Sequence, residues 1–450
     1  MRWRGDAVAL FVLALGVRAM VAARTHVPGR DGATYLWMAE QIAGGDVTAA
    51  FATVFHPLYP LLVGGLLALL PGLGVVLAGQ VIASGCAALA VVPLFALTEH
   101  RFGRTAARVC GLCYALGLWL SRYPAECMSE GPFYLAVATW AHALLGVRGR
   151  PALAGAAAAL AFATRPEGLV LLVCGAGWLW RAREGLARFL AWAVAGTALV
   201  PLAYALAGAG VSLSPKVAFN LDVGVEASPA PLAYYLEHFV RTVGSAFEAI
   251  GYLVVPLALV GGRRVWKLPG GRALVLVLAT PLLAQIAVVP LLRSYLRFLS
   301  GFGVLALPLV GVALGSLLPA VLARGRWWIL AAVLAPDVLR LPLARGADRL
   351  VERELGVHLR VLLAPGQFVA TEMPRLEFFA GQQPGPPRPI ARSEVMARCQ
   401  DARTRFAVLV AARTDVHDAD LRALGFAPLS LPSRLSMLAQ ERGLLVYHRP

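Results

Sequence analysis

The sequence predicts an all-α polytopic membrane domain followed by a small α/β domain, and three observations carry that prediction. Apolar windows long enough to cross a bilayer recur through residues 1–343. Only 15% of the residues are charged against 59% hydrophobic, with a mean hydropathy of +0.69, whereas a soluble chain of 450 residues needs far more polar surface. From about Gly346 the hydrophobicity falls, and "FVATEMP", "RFAVLVAAR" and "GLLVYHR" read as short strands around the breaker-rich "GQQPGPPRP".

A spanning helix needs roughly 20 apolar residues. Such windows fall near 6–25, 74–98, 106–121, 129–147, 151–165, 167–180, 189–208, 246–261, 272–290, 298–318 and 326–343, about eleven in all. The first runs into polar, aromatic sequence without a small-residue cleavage site, so it reads as a retained helix. Segment 56–74, "HPLYPLLVGGLLALLPGLG", is apolar but bracketed by prolines and broken by glycines. It reads as a helix lying at or dipping into the interface, which makes 26–73 the first outer loop. The expected organisation is a membrane domain over 1–343 and a soluble α/β domain over 344–450. Six cysteines form no ladder of spacings. The Cys110–Cys113 CxxC, inside "ARVCGLCYALGLWL", has no second thiol or histidine pair and reads as helix packing.

The net charge of +16 is almost all arginine. With segment 56–74 kept on one side, the loops sort by sign. One side receives Arg2, Arg4, Arg101, Arg104, Arg108, Arg148, Arg150, Arg181, Arg183, Arg188, Arg263, Arg264, Lys267, Arg272, Arg324 and Arg326. The other holds Asp31, Glu40, Asp46, Glu126, Glu130, Glu167, Asp222, Glu226, Glu237 and Glu248. By the positive-inside rule the arginine-rich side is cytoplasmic. The basic charge is therefore a topology device, and nucleic-acid binding loses its main support.

The outer loops collect ionisable groups at helix ends, where desolvation is costly and function is the default reading. Asp31 leaves the first helix; the bland alternative is a solvated loop carboxylate. Tyr35 and Trp37 follow it and fit a substrate contact or an interfacial aromatic belt equally well. Arg18, inside the first helix near its outer end, either snorkels to the interface or points inward toward an anion. His56 and Tyr59 sit at the start of the interfacial helix, as structural residues or as donor contacts. Glu130 opens a helix beside Arg122 and Tyr123, where a capping role competes with an acceptor or metal contact. Arg165 and Glu167 flank Pro166 in "TRPEG" and either pair with each other or bind substrate. Lys216, one of two lysines in the chain, suits a point-charge contact to phosphate or plain solvation. Arg293 and Arg297 stand four apart, so they share a helix face, a repulsive placement alone and a favourable one around an anion. A carboxylate to act as base beside cations to hold a phosphate leaving group is the chemistry this set offers.

The order "GRDGATYLWMAEQI", "FHPLYPLLVGGLLAL" and "GQVIASGCAALAVVPLFAL" resembles the start of GT-C membrane glycosyltransferases, in the branch of protein O-mannosyltransferases and aminoarabinose transferases. The resemblance covers roughly 8–310 and rests on an ordered set: Asp31 with Tyr35, His56-Pro57-Leu58-Tyr59, Arg165-Pro166-Glu167-Gly168, and Arg297-Phe298-Leu299. Three departures stand out. Gly32 follows Asp31 where the branch carries a second acid, His56 stands for one of two prolines, and Phe298 replaces a tyrosine. The first departure counts against a divalent metal held by paired first-loop carboxylates, and no cofactor is assigned. The resemblance implies an inverting glycosyltransferase of the bacterial inner membrane that uses a polyprenyl-phosphate sugar as donor. An acceptor lipid, glycan or protein would be modified on the periplasmic side. Asp31 would be the base, with Arg18, Tyr35, His56, Tyr59, Lys216, Arg293 and Arg297 on the donor. Arg122, Tyr123, Glu130, Arg165 and Glu167 would serve the acceptor or the site's structure. The rival reading is a transporter or lipid-linked-sugar flippase. It is disfavoured because the spans are nearly free of charge and the polar groups gather at one edge.

Overall fold

The structure, a computed structural model, describes residues 3–146, 149–208, 231–251, 253–288, 290, 296–323, 335, 337–341, 343, 349–384, 392–410 and 418–450. Lys216, Arg293 and most of the window 326–343 lie outside the described residues. The chain divides into two compact units, Met1–Ala23 with Met38–Leu343, and Arg24–Trp37 with Ala344–Pro450.

The first unit is helical. Its leading helices are α1 (Trp3–Ala23), α2 (Arg30–Ala43, shared with the second unit), α3 (Val47–Phe51), α4 (Leu58–Leu69), α5 (Val75–Leu89) and α6 (Val91–Phe102). They are followed by α7 (Arg104–Leu116), α8 (Leu118–Ala125), α9 (Glu130–Leu145), α10 (Pro151–Thr164), α11 (Leu169–Ala182) and α12 (Leu186–Leu206). Further helices cover Pro231–Ile250, Val254–Trp266, Gly271–Val288, Leu296–Gly303 and Leu307–Ala323.

Among the described residues five helical stretches are long and apolar enough to cross a membrane: Gly5–Ala23, Val75–Phe102, Leu186–Leu206, Gly271–Val288 and Leu299–Leu317. Other expected windows are shorter helices with identifiable breaks. The 106–121 window is split at Gly117, whose backbone is extended, and 246–261 is split at Gly251, where φ is +111°. Helices α7, α10 and α11 hold 13, 14 and 14 residues, about 20 Å at ~1.5 Å per residue. The expected first loop is itself largely helical: Asp31 stands in the first turn of α2 instead of in irregular chain, and α4 has 12 residues, about 18 Å.

Small residues let the helices approach closely. A side chain at Gly131 would run into the Ala83 backbone of α5, one at Gly155 into Phe189 of α12, and one at Gly311 into Ala106 of α7. Cys110, free and buried, meets Gly311 at the same contact, which is the packing role the sequence suggested for the CxxC.

The two ends of this unit differ in chemistry. At one end Asp6 of α1 pairs with Arg104 (2.5 Å) and Arg108 (2.9 Å) of α7. There too Arg101 donates to the Leu145 carbonyl at 2.7 Å, and Gly185 abuts Pro151. At the other end Gln80 of α5 donates to the carbonyls of Ala22 (3.3 Å) and Ala125 (3.1 Å), closing the ends of α1 and α8 over it. Ion pairs of Asp6 thus hold one end, and a glutamine on two backbone carbonyls holds the other.

The second unit carries a four-stranded sheet of β1 (Phe368–Thr371), β2 (Thr404–Val410), β3 (Ala427–Pro428) and β4 (Leu444–His448), in the order β1-β2-β4-β3. β1 and β2 are parallel, with Val369 opposite Phe406; β2 and β4 are antiparallel, with Val408 opposite Val446. The three strands read from the sequence are present, and the two-residue β3 adds an edge. Leu355, Leu359, Leu376 and Val408 fill one face, and Ala370, Cys399, Leu409 and Phe426 the other.

Candidate functional site

The "TRPEG" turn is built by backbone constraint. Arg165 ends α10 in an extended conformation, its N–H still bonded to the Ala161 carbonyl at 2.9 Å. Pro166–Gly168 then form one tight turn closed by the Gly168 N–H on the Arg165 carbonyl at 3.0 Å. Gly168 lies so close to Ala161 and Phe162 that any Cβ would collide with their backbone. The turn thus folds back on α10 and points Arg165 and Glu167 inward.

Arg165 meets two carboxylates there. Its Nη1 donates to Glu130 Oε1 at 2.5 Å and its Nη2 to Glu167 Oε1 at 2.9 Å. All three side chains are at most 6% exposed. The guanidinium also lies over the Phe133 ring, 5.8 Å from its centroid. The sequence left open a pairing of Arg165 with Glu167; the structure adds Glu130, from the first residue of α9. Ser129 makes no side-chain cap on that helix, and the Glu130 carboxylate reaches Arg165. Its second oxygen, Oε2, is buried without a hydrogen-bond partner among the described residues. Two carboxylates thus meet one guanidinium in the interior.

Arg18 is the second buried cation. It is fully buried at 0% exposure, not snorkelled, with Nη1 on the Ala14 carbonyl at 3.1 Å and Nη2 near the Tyr114 carbonyl at 3.5 Å. Its guanidinium lies 4.8 Å above the Tyr114 ring, and Nε has no partner among the described residues. Among the described residues no carboxylate pairs with it. Tyr114 is fixed by its own bond to the Ala87 carbonyl at 2.5 Å. Tyr134 of α9 is likewise fully buried.

Tyr134 also leads to Arg297. Its hydroxyl is 2.9 Å from Ser300 Oγ, which bonds the Arg297 carbonyl at 2.8 Å. Phe133 packs edge-on against Phe302 with centroids 5.5 Å apart, and its ring fills the space a Cβ on Gly301 would need. The short helix Leu296–Gly303 is therefore held against the start of α9, and Arg297, half-buried, sits on it. Tyr114, Tyr134 and Ser300 were absent from the sequence reading. They look like ordinary apolar-helix residues, and the only available signal was a hydroxyl inside an apolar run, which needs a partner when buried.

The remaining candidates take structural neighbours. His56, 1% exposed, packs edge-on against Phe162 at 5.1 Å, just before the Arg165 turn. Tyr59 is buried and donates to the Gly79 carbonyl at 3.0 Å, tying α4 to α5. Arg122 donates to the Arg340 carbonyl at 3.3 Å and lies 5.4 Å from the Trp119 ring, on which Tyr123 stacks. Asp31 and Tyr35 belong to the second unit, where both are buried. Among the described residues no group of three His, Cys, Asp or Glu side chains could hold a metal ion.

No family model matches the sequence, and no curated protein matches it. The fold does have counterparts among solved structures. ArnT from Cupriavidus metallidurans bound to undecaprenyl phosphate aligns with a TM-score of 0.58 at 16% identity, over 98% of this chain and 97% of that one. The apo oligosaccharyltransferase of Archaeoglobus fulgidus gives 0.62 at 14% identity, over 89% of this chain and 69% of that one. The archaeal AglB from the same organism, in complex with an inhibitory peptide and a dolichol-phosphate, gives 0.56 at 13%, over 90% and 69%. The chain shares the fold of these solved structures, the fold expected from the resemblance of its sequence to GT-C membrane glycosyltransferases.

Proposed function

We propose that this chain is an inverting glycosyltransferase that moves a sugar from a polyprenyl-phosphate donor to an acceptor on the periplasmic face of the bacterial inner membrane. The observation that supports this most is Arg18, a buried cation without a carboxylate partner among the described residues, in a chain whose fold is shared with an undecaprenyl-phosphate complex. An isolated buried charge is costly unless a ligand of opposite sign completes it. A lipid phosphate supplies that charge and becomes the leaving group. Lys216, Arg293 and Arg297 would add cations to the departing phosphate, and Asp31 would take the proton of the attacking acceptor hydroxyl. Glu130, Arg165 and Glu167 form the fixed polar wall of the acceptor side.

The experiment pairs chemistry with insertion. Purified Asp31→Asn, folded and inserted like the parent, loses transfer from a lipid-linked sugar. Full turnover by that variant removes Asp31 as base, and movement of intact lipid-linked sugar across a vesicle without covalent product replaces the enzyme with a transporter. Orientation has its own check. A cysteine at exposed Gly72, after α4, reacts with an impermeant thiol reagent in spheroplasts, whereas one at exposed Glu184 reacts only after lysis.

A further inference from the structure

Away from the buried ionic groups, a cavity of about 660 Å³ opens between the helices Pro231–Ile250, Val254–Trp266, Gly271–Val288 and the stretch around Leu305–Leu309. Its walls are almost wholly apolar, with Phe247, Leu259, Leu282 and Ile286 among them, but Arg263 and Lys267 stand in its lining. A second hollow of about 530 Å³ shares Trp266 and Lys267 with it and adds Arg272. The two share the exposed Trp266 and Lys267 in their walls, so a cationic rim borders the apolar slot.

The rim has a fixed frame. Gly261 sits against the Leu309 backbone and Gly271 against the Val265 carbonyl, both too close for a Cβ. Gly270 turns the hairpin with φ +71°, and the Leu268 and Gly271 N–H groups close it at 2.9 Å each. Arg272 lies 5.9 Å from the Trp266 ring. Arg263, Arg264, Lys267 and Arg272 are all exposed. None has a carboxylate partner among the described residues, and the sequence contains no Asp or Glu between Glu248 and Asp337. A cluster of uncompensated cations over an apolar slot between membrane helices is the arrangement that takes an acidic lipid headgroup with its chain below.

We infer that this hairpin is a binding site for an anionic glycerophospholipid of the leaflet opposite the transfer site. One acyl chain lies in the slot, and the phosphate rests among Arg263, Lys267 and Arg272. The sign of the loop assigns it to the cytoplasmic side by the positive-inside bias, away from the cations proposed for the sugar donor. A volume of about 660 Å³ is within the ~300–1,000 Å³ of ordinary ligand pockets. The site is independent of the transfer reaction, so its test reads lipid and not product.

Full-length protein is placed in phosphatidylcholine nanodiscs doped with phosphatidylglycerol, and retained lipid is read by native mass spectrometry at increasing collision energy. The parent keeps phosphatidylglycerol after phosphatidylcholine is stripped. The triple variant Arg263→Gln/Lys267→Gln/Arg272→Gln, on exposed positions and with an unchanged melting temperature, binds it roughly a hundredfold more weakly. The control triple Arg181→Gln/Arg183→Gln/Arg188→Gln, with equal charge loss on another turn, retains it like the parent. Ala279→Phe, which fills the slot without touching charge, also lowers retention. Equal retention by the first triple overturns the inference. So does equal loss in the control, which makes the effect bulk charge, or preferential uptake of polyprenyl phosphate by the parent at the Arg263–Lys267–Arg272 hairpin.

Discussion

Two buried arginines in the same helical unit are treated in opposite ways. Arg165, at the α10–α11 turn, is matched by two carboxylates within 2.9 Å. Arg18, in α1, is met by two backbone carbonyls and a tyrosine ring. The first is matched by opposite charge; the second, among the described residues, meets no carboxylate. Breaking a buried pair leaves an uncompensated charge, whereas removing a charge that never had a partner relieves desolvation. The difference separates residues that hold the site together from residues held in readiness for a ligand.

The contrast can be broken most severely at Arg165. Arg165→Met removes the guanidinium that bonds Glu130 and Glu167 in the interior, and the protein should lose about 3–5 kcal/mol of stability or fail to insert. Thermal unfolding in detergent reads this, and a melting temperature equal to the parent's removes the ion cluster from the fold's support. Next is the close approach that sets Glu130 in place: Gly131→Ala puts a methyl into the Ala83 carbonyl and should cost about 1–3 kcal/mol. Glu130→Gln keeps shape and one acceptor while Glu167 still holds Arg165, so a smaller loss, about 1–2 kcal/mol, is expected. A loss as large as that of Arg165→Met would mean the cluster cannot redistribute its charge.

The smallest effect belongs to an exposed pair in the second unit. Arg403 beside Asp401 donates a hydrogen bond at 2.7 Å and holds that carboxyl down at about 2. A depressed carboxyl contributes stability above its ordinary range near 3.8 that disappears as pH falls through about 2. Asp401→Asn should therefore lower hydrogen-exchange protection of β2 slightly at pH 6 and less at pH 3, and 0.5 M salt should erase part of the difference. An effect rivalling Glu130→Gln would contradict the distinction between buried and exposed pairs.

Much of this architecture was legible because it follows from period and punctuation. Three of the four strands of the second unit, β1, β2 and β4, lie where β-branched and apolar runs stand between breakers. The Arg165–Gly168 turn is announced by proline and by a glycine that only close backbone contact explains. Span boundaries were less legible: Gly117 and Gly251 divide runs that hydropathy alone joins, because one extended or positive-φ residue ends a helix without changing its apolarity. The site was half visible. Arg18, Glu130, Arg165 and Glu167 stand out as ionisable groups in apolar surroundings. Which carboxylate meets which cation depends on how α9 and α10 pack, and no spacing encodes that. Tyr134 and Ser300 were hidden for the same reason, since a hydroxyl announces a partner but not its address.

The most direct measurement is made on Arg18→Met. Melting temperature and retention of added polyprenyl phosphate, by native mass spectrometry, are recorded together on the parent and the variant. Arg18→Met is expected to melt at or above the parent's temperature and to lose the lipid phosphate that the parent keeps. A variant that unfolds like Arg165→Met, or one that holds polyprenyl phosphate as tightly as the parent, would show that this cation is structural and that the donor phosphate is bound elsewhere.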